Sequence, residues 1–519
     1  MSGDARLGTI EEIRARSEAF RRELQQEEYA SAAGLKRGSD TAGIFERYRG
    51  LLAPSSREAI TRRLEEIERA LASGPAESER SALLDERRRL EYLRAELFEH
   101  FIAAEVRAIS DALVTREQAA TVQLAAGDVV PFRRLSQEMA ATADRTRRGE
   151  LERAQLAIVE EQLTPLLAER LHIESGIARA LGQPSYAALW QWLHRIDLHQ
   201  LRDMMLGFLR ATDDMYREAM GWFMRKHAGI ALEDASRHDL LAIFRGERFD
   251  DYFPKDDMVR VAERFLREMG IELSAGGHIE LDLEPRDLKV GRAFCAAIEV
   301  PHRIIVVTSP EGGRRDWQRL YHELGHALHL GYTAANAPYE YRCLGDPSLG
   351  ESYAFLLQYL LTDRGWLRRY LGFTKPQDYL FLVHLEKLAY LRRYSARLAY
   401  ELEMRGDGGE RELEELEQRY DEHMRAALGL SYPRSLFLYD VERSFYSARY
   451  LRAWLFEALL SKHLVHYFDE DWYRNPRCGT FLKKHWELGT RYGVEEMARE
   501  IGYEELTTKP LEKQLLRAL

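Results

Sequence analysis

The sequence predicts a mainly α-helical protein that carries one small β-sheet. Three observations lead there. Apolar residues recur at helical spacing between charged ones over most of the 519 residues. A single stretch, near residues 278–308, changes to strand-like alternation. After it, Gly312-Gly313 returns the chain to helix. Taken in order, Ile60, Leu64, Ile67 and Leu71 mark an early helix, with Ser55 and Glu58 as its capping box and Gly74-Pro75 as its end. A second charged helix is expected from about Ala76 to Val114, and further helices past Gly127 to about Leu181. Abundant Glu and Arg above an apolar stripe are the pattern of long packed helices with solvated outer faces. Strands are expected over 278–283, 293–298 and 303–308, the last two separated by Val300-Pro301-His302. A new helix should begin at about Arg315. No repeat or linker cuts the chain, so an N-terminal helical region, 1–170, and a region 171–519 are expected to form one integrated assembly.

Composition excludes several function classes. Hydrophobic residues make up 45% and charged residues 31%, which is the balance of a soluble globular protein. A net charge of −10 argues against a broad basic surface, so no nucleic-acid partner is expected. Cys295, Cys343 and Cys478 lie far apart and form no CxxC pair, which fits neither a disulfide framework nor a zinc ribbon and suits a reducing compartment. The first residues lead into charged helical sequence without an apolar signal core, and the stretch from Tyr353 to Leu361 is too short to span a bilayer. The expectation is a cytoplasmic protein with no membrane partner.

The helix after the sheet contains His322-Glu323-Leu324-Gly325-His326. Histidines at i and i+4 sit one turn apart on one face, so both imidazoles can reach one metal ion. Glu323 lies beside them, placed to take a proton from water at that metal. These are the parts of a zinc hydrolase: neutral nitrogen ligands, an open position and a general base. A third ligand is needed. A histidine ten residues after the first is absent, because that position is Tyr332. The carboxylate candidates are Glu340, Asp346 and Glu351. Glu340 falls in a Tyr-rich stretch read as a loop. Asp346-Pro347 reads as an N-cap followed by proline at the first helical position. That phase puts Glu351 in the second turn, facing His322 and His326, with Asp346 as the second choice. Gly325 costs about 1 kcal/mol inside a helix, which points to close approach by a neighbouring backbone. His329 is read as a packing or supporting residue of the site.

The run His322-Glu323-Leu324-Gly325-His326-Ala327-Leu328-His329, with Glu351 downstream, resembles the thimet oligopeptidase/oligopeptidase F family of zinc metallopeptidases, and more distantly angiotensin-converting enzyme and the carboxypeptidase Taq family. Arg292-Ala293-Phe294-Cys295 is similar to the segment preceding the metal helix in that family, and Tyr446-Ser447-Ala448-Arg449-Tyr450 to its tyrosine-bearing segment. The resemblance covers roughly residues 180–465. It implies a two-lobed helical clamshell of the neurolysin-like zincin type, with one Zn²⁺ per chain held by His322, His326 and Glu351. It also implies that Glu323 activates the attacking water, while Tyr446 and Tyr450 present hydroxyls to the developing oxyanion. Three positions depart from the family pattern: Val441 in place of a histidine, Ala453 in place of a tyrosine, and Gln358 in place of an acid. Gln358 can still hold a ligating histidine through its amide.

Substrate contacts are expected on the strand at Phe294, Cys295 and Ala296, where an extended peptide can add to a sheet edge, and at Arg449 and Arg452, which can fork a terminal carboxylate. The expected substrates are short unfolded peptides and the expected assembly a monomer or homodimer. The competing readings are a carboxypeptidase or dipeptidyl carboxypeptidase on the same scaffold, an inactive peptide-binding homologue, and a helical scaffold with a chance HExxH.

Overall fold

A computed structural model describes residues 9–123, 129–406 and 411–519. It is mainly helical, with two small sheets. No described helix is long and apolar enough to cross a membrane. The chain divides into two compact units, each assembled from three stretches: Met1–Ala104, Asp250–Phe373 and Phe456–Leu506 form the first, and Glu105–Phe249, Thr374–Leu455 and Thr507–Leu519 the second.

In the first unit, the helix Ile10–Ala32 starts at a capping box between Thr9 and Glu12. Its Ile13 and Phe20 pack with Ile60, Leu64 and Ile67 from Pro54–Ala72 and with Leu90, Leu93 and Leu97 from Glu77–Glu105. The expected Ser55/Glu58 capping box does not form. Pro54 occupies the first helical position and Ala53 the cap, so Ser55 is already inside the helix. The helix expected over 76–114 is two helices, Glu77–Glu105 and Arg107–Ala119, parted at Val106.

Two short strands, β1 (Thr121–Gln123) and β2 (Val129–Pro131), pair antiparallel in the second unit and were not expected, which makes two sheets rather than one. Gly127, past which the next helices were expected, lies outside the described residues. The expected sheet belongs to the first unit: β3 (Ile279–Asp282), β4 (Phe294–Glu299) and β5 (Arg303–Val307), in the order β3-β5-β4. β3 runs parallel to β5 and β4 antiparallel to it, so β4 is an edge strand. Tyr29 and Ala33 pack on Ala296, Ile298, Ile305 and Val307. From β5 the chain enters the helix Arg314–Gly331 through Gly312 and Gly313, whose φ angles of 95° and 85° suit glycine. The Asp250 carboxylate accepts the backbone N–H of Arg314 at 2.9 Å and fixes where this helix begins.

The second unit is organised on the helix Gln377–Arg405, which is buried along most of its length. Its Arg392 donates to the carbonyls of Ala427 and Leu209 and to the Asp213 carboxylate, tying three other helices to its own. The helix Tyr446–Phe468 begins in this unit, directly after Ser444 and Phe445, both in the left-handed region at φ of 55° and 50°.

Candidate metal centre

Two helices of the first unit build the site. Arg314–Gly331 presents His322 and His326, whose ring centroids lie 4.9 Å apart. The second helix, Pro347–Gln358, is capped by Asp346 and has proline at its first position, as its sequence requires. Glu351 sits in its second turn, 6% exposed, and its Oε2 lies 3.3 Å from His322 Nε2 and 3.7 Å from His326 Nε2. One ligand atom from each of the three side chains falls within 4.8 Å of the others.

Gly325 makes that convergence sterically possible. A Cβ there would stand 2.5 Å from both Ala354 Cα and Tyr353 O, so the two helix backbones touch where any side chain would hold them apart.

The other carboxylate candidates are occupied elsewhere. Asp346 caps its own helix, accepting from the Ser348 N–H at 2.9 Å. Glu340 is fully buried in the short helix Tyr339–Cys343, rather than in a loop, and bonds Arg14 at 2.6 Å and Arg89 at 3.3 Å.

The supporting contacts fix the rings. His322 Nδ1 lies 2.9 Å from Gln358 Oε1; an amide oxygen only accepts, so Nδ1 carries the proton and Nε2 keeps its lone pair toward Glu351. His329 is buried, with Nε2 3.1 Å from the Gly489 carbonyl.

Electrostatics separate the two histidines. Burial lowers the pKa of His326 to about 4, against the pull of Glu351. Burial also acts to lower His322, but the hydrogen bond and charge of Glu351, with smaller contributions from Glu323 and Gln358, raise it. The negative field that draws a proton to His322 also favours a divalent cation in the same place. Two half-buried imidazoles and one buried carboxylate suit zinc by donor type and by number.

Glu323 lies in the field of both His322 and Glu351. Burial raises its pKa, the charge of His322 lowers it and that of Glu351 raises it, while the backbone N–H of Cys295 hydrogen-bonds its carboxylate. Glu323 therefore sits against edge strand β4. Phe294, Cys295 and Ala296 line a cavity of about 550 Å³ beside the N-terminal helix, together with Tyr29 and Arg292.

Tyr446, Arg449, Tyr450 and Arg452 belong to the second unit. The tyrosines share one helical face, with ring centroids 4.8 Å apart, and the Arg449 guanidinium lies 5.5 Å from the Tyr446 ring and 5.9 Å from that of Trp190. Arg452 is buried at 3% exposure, so it forms no surface salt bridge.

Sequence reasoning overlooked Gly350, the residue before Glu351. Its unbuilt Cβ position is 3.5 Å from His326 Nδ1 and 3.8 Å from His329 Nδ1. A glycine in the second turn of a helix was the available signal, the same one that singles out Gly325. No protein-family model matches the chain, and no curated protein matches it.

Proposed function

We propose that this protein is a zinc-dependent metallopeptidase that hydrolyses peptide bonds in short, unfolded oligopeptides. The observation that carries this reading is the meeting of His322 Nε2, His326 Nε2 and Glu351 Oε2, with Glu323 one residue along the same helix. His322, His326 and Glu351 would hold the ion. Bound there, zinc supplies a Lewis acid that lowers the pKa of water and polarises a carbonyl.

The remaining chemistry belongs to the chain. Glu323 is half-buried, and that desolvation makes its carboxylate hold a proton more tightly than an exposed glutamate does. It takes a proton from the attacking water as the new C–O bond forms, and delivers it to the amine nitrogen as the C–N bond breaks. The Cys295 N–H steadies that carboxylate against β4, whose free edge offers backbone groups to an extended peptide regardless of its side chains. Tyr446 and Tyr450 are assigned the donors to the oxyanion, Arg449 and Arg452 the terminal carboxylate. A two-lobed clamshell that admits only short chains, and action in the cytoplasm, belong to the same proposal; the division of the chain into two compact units supports the first.

The test is metal analysis and peptide cleavage for wild type beside Glu323→Gln. About one zinc per chain is expected in both, with cleavage in the wild type alone. Metal-free protein overturns the site, and equal cleavage overturns the role of Glu323. Comparing free with amidated C-termini separates an endopeptidase from a carboxypeptidase.

A further inference from the structure

A ligating histidine that uses Nε2 carries its proton on Nδ1, and that N–H needs an acceptor. His322 has one in Gln358. Among the described residues, His326 Nδ1 has no direct acceptor of this kind. Its Nδ1 faces Gly350, and a carbon built there would stand 3.5 Å from it and 3.8 Å from Nδ1 of His329. Two ring nitrogens on successive turns of one helix therefore look into the same space, which the glycine leaves open. Their roles are complementary. His329 Nε2 lies 3.1 Å from the Gly489 carbonyl, an acceptor only, so Nε2 is the protonated nitrogen. Its Nδ1 is then a lone pair, buried, with no hydrogen-bond partner among the described residues. Burial, which lowers the pKa of His329 to about 4, keeps the ring neutral and preserves that lone pair.

We propose that His329 is a positioning residue for His326: one water seated over Gly350 accepts the His326 Nδ1–H and donates to His329 Nδ1, orienting the second metal-binding ring. The Gly489 carbonyl sets the tautomer that makes this work. Gly489 is itself held close, since a Cβ on it would lie 2.3 Å from the Tyr341 carbonyl. The chain from His326 through His329 thus ends on rigid backbone. Gly350 is then required as space, which accounts for a residue that costs its helix about 1 kcal/mol relative to alanine.

This inference rests on the metal site proposed above, and its test separates the two. The two amide side chains each imitate one imidazole nitrogen. His329→Gln keeps a group at Nε2, toward Gly489, and loses the one at Nδ1; His329→Asn does the reverse. Zinc dissociation constants, measured by chelator competition on the purified full chain, should rise roughly 10- to 100-fold for His329→Gln and stay near wild type for His329→Asn. A merely structural role, tying the metal helix to Gly489, predicts the opposite order and overturns the proposal. Gly350→Ala leaves His329 in place and its methyl makes only ordinary contacts, so it should fold. It should raise the thermal midpoint of the metal-free protein while weakening zinc binding by a similar factor. Unchanged zinc affinity in Gly350→Ala overturns the bridge even if His329→Gln fails to fold. A wild type that binds no zinc defeats the metal site itself, a result distinct from all of these.

Discussion

Gln358 Oε1 stands 2.9 Å from His322 Nδ1, thirty-six residues away, and this contact decides which nitrogen of His322 is offered to the site. A neutral amide orients the ring without adding charge, so the imidazole stays less basic than it would beside a carboxylate. Gln358→Leu removes the acceptor and should weaken zinc binding about 10- to 100-fold. Gln358→Glu should tighten it, because an anion on Nδ1–H pushes electron density toward Nε2. Chelator competition on both variants checks the pair, and the same direction of change in both would refute the argument.

Gly325 separates packing from chemistry. A methyl there meets backbone, at 2.5 Å from Ala354 Cα and Tyr353 O, and backbone cannot rotate away. Gly325→Ala should therefore force apart the helices that carry the two histidines and Glu351, costing about 1–3 kcal/mol or more in stability. Because Glu351 rides on the displaced helix, zinc affinity should fall with it. Denaturant unfolding of the metal-free chain reads the first effect and chelator competition the second. Gly350→Ala, in the neighbouring helix, is expected to stabilise while also weakening the metal, so the two glycines should move stability in opposite directions.

Where the sequence was legible, local rules governed the outcome. His322 and His326 share a face because any helix puts i and i+4 together. Glu351 joins them because Asp346-Pro347 sets the phase of the second helix, and Gln358, two turns on, falls on the same side. The three strands near 278–308 lie within a residue of their expected ends, since Ile304–Val307 of β5 form an apolar run between a proline turn and paired glycines. The failures have other causes. Pro54 shifted a helix start by claiming the first position from Ser55. The three-residue strands β1 and β2 are too short to show a period. Glu340 reads as a loop residue because the partners that bury it, Arg14 and Arg89, lie hundreds of residues away. No local signal marks two units each assembled from three separated stretches.

The paired tyrosines give a kinetic prediction. Tyr446 and Tyr450 stand one turn apart on a helix that follows two left-handed residues, so their placement is fixed by a strained turn rather than a mobile loop. If their hydroxyls serve the oxyanion, Tyr446→Phe or Tyr450→Phe should lower kcat roughly 100-fold, with KM and zinc content little changed. A rate equal to wild type in both variants would reassign the rings to packing, Tyr446 against Tyr450 and Tyr450 against Tyr394 and Trp454.

Glu401 gives the pH dependence a definite sign. It is fully buried on the long helix of the second unit, with Arg405 Nε 3.8 Å away. Burial is the largest influence and raises its pKa from 4.5 to about 7, against the lowering pull of Arg405 and Arg397. The unfolded chain releases this proton near the ordinary value, whereas the folded chain keeps it until about pH 7. Folding is thus unpenalised below the unfolded pKa, and stability falls as pH rises from there to the folded value. Glu401→Gln has nearly the same shape and nothing to ionise. It should match wild type at pH 4.5 and exceed it at pH 8 by on the order of 3 kcal/mol, the free energy of a shift of that size. Thermal midpoints of the two proteins compared at each pH isolate this one group, because every other titration is common to both. A Glu401→Gln difference that is the same at both pH values would show that the folded-state pKa is not raised, and a variant less stable at pH 8 would show that Glu401 is ionised in the folded protein and stabilised by Arg405 and Arg397.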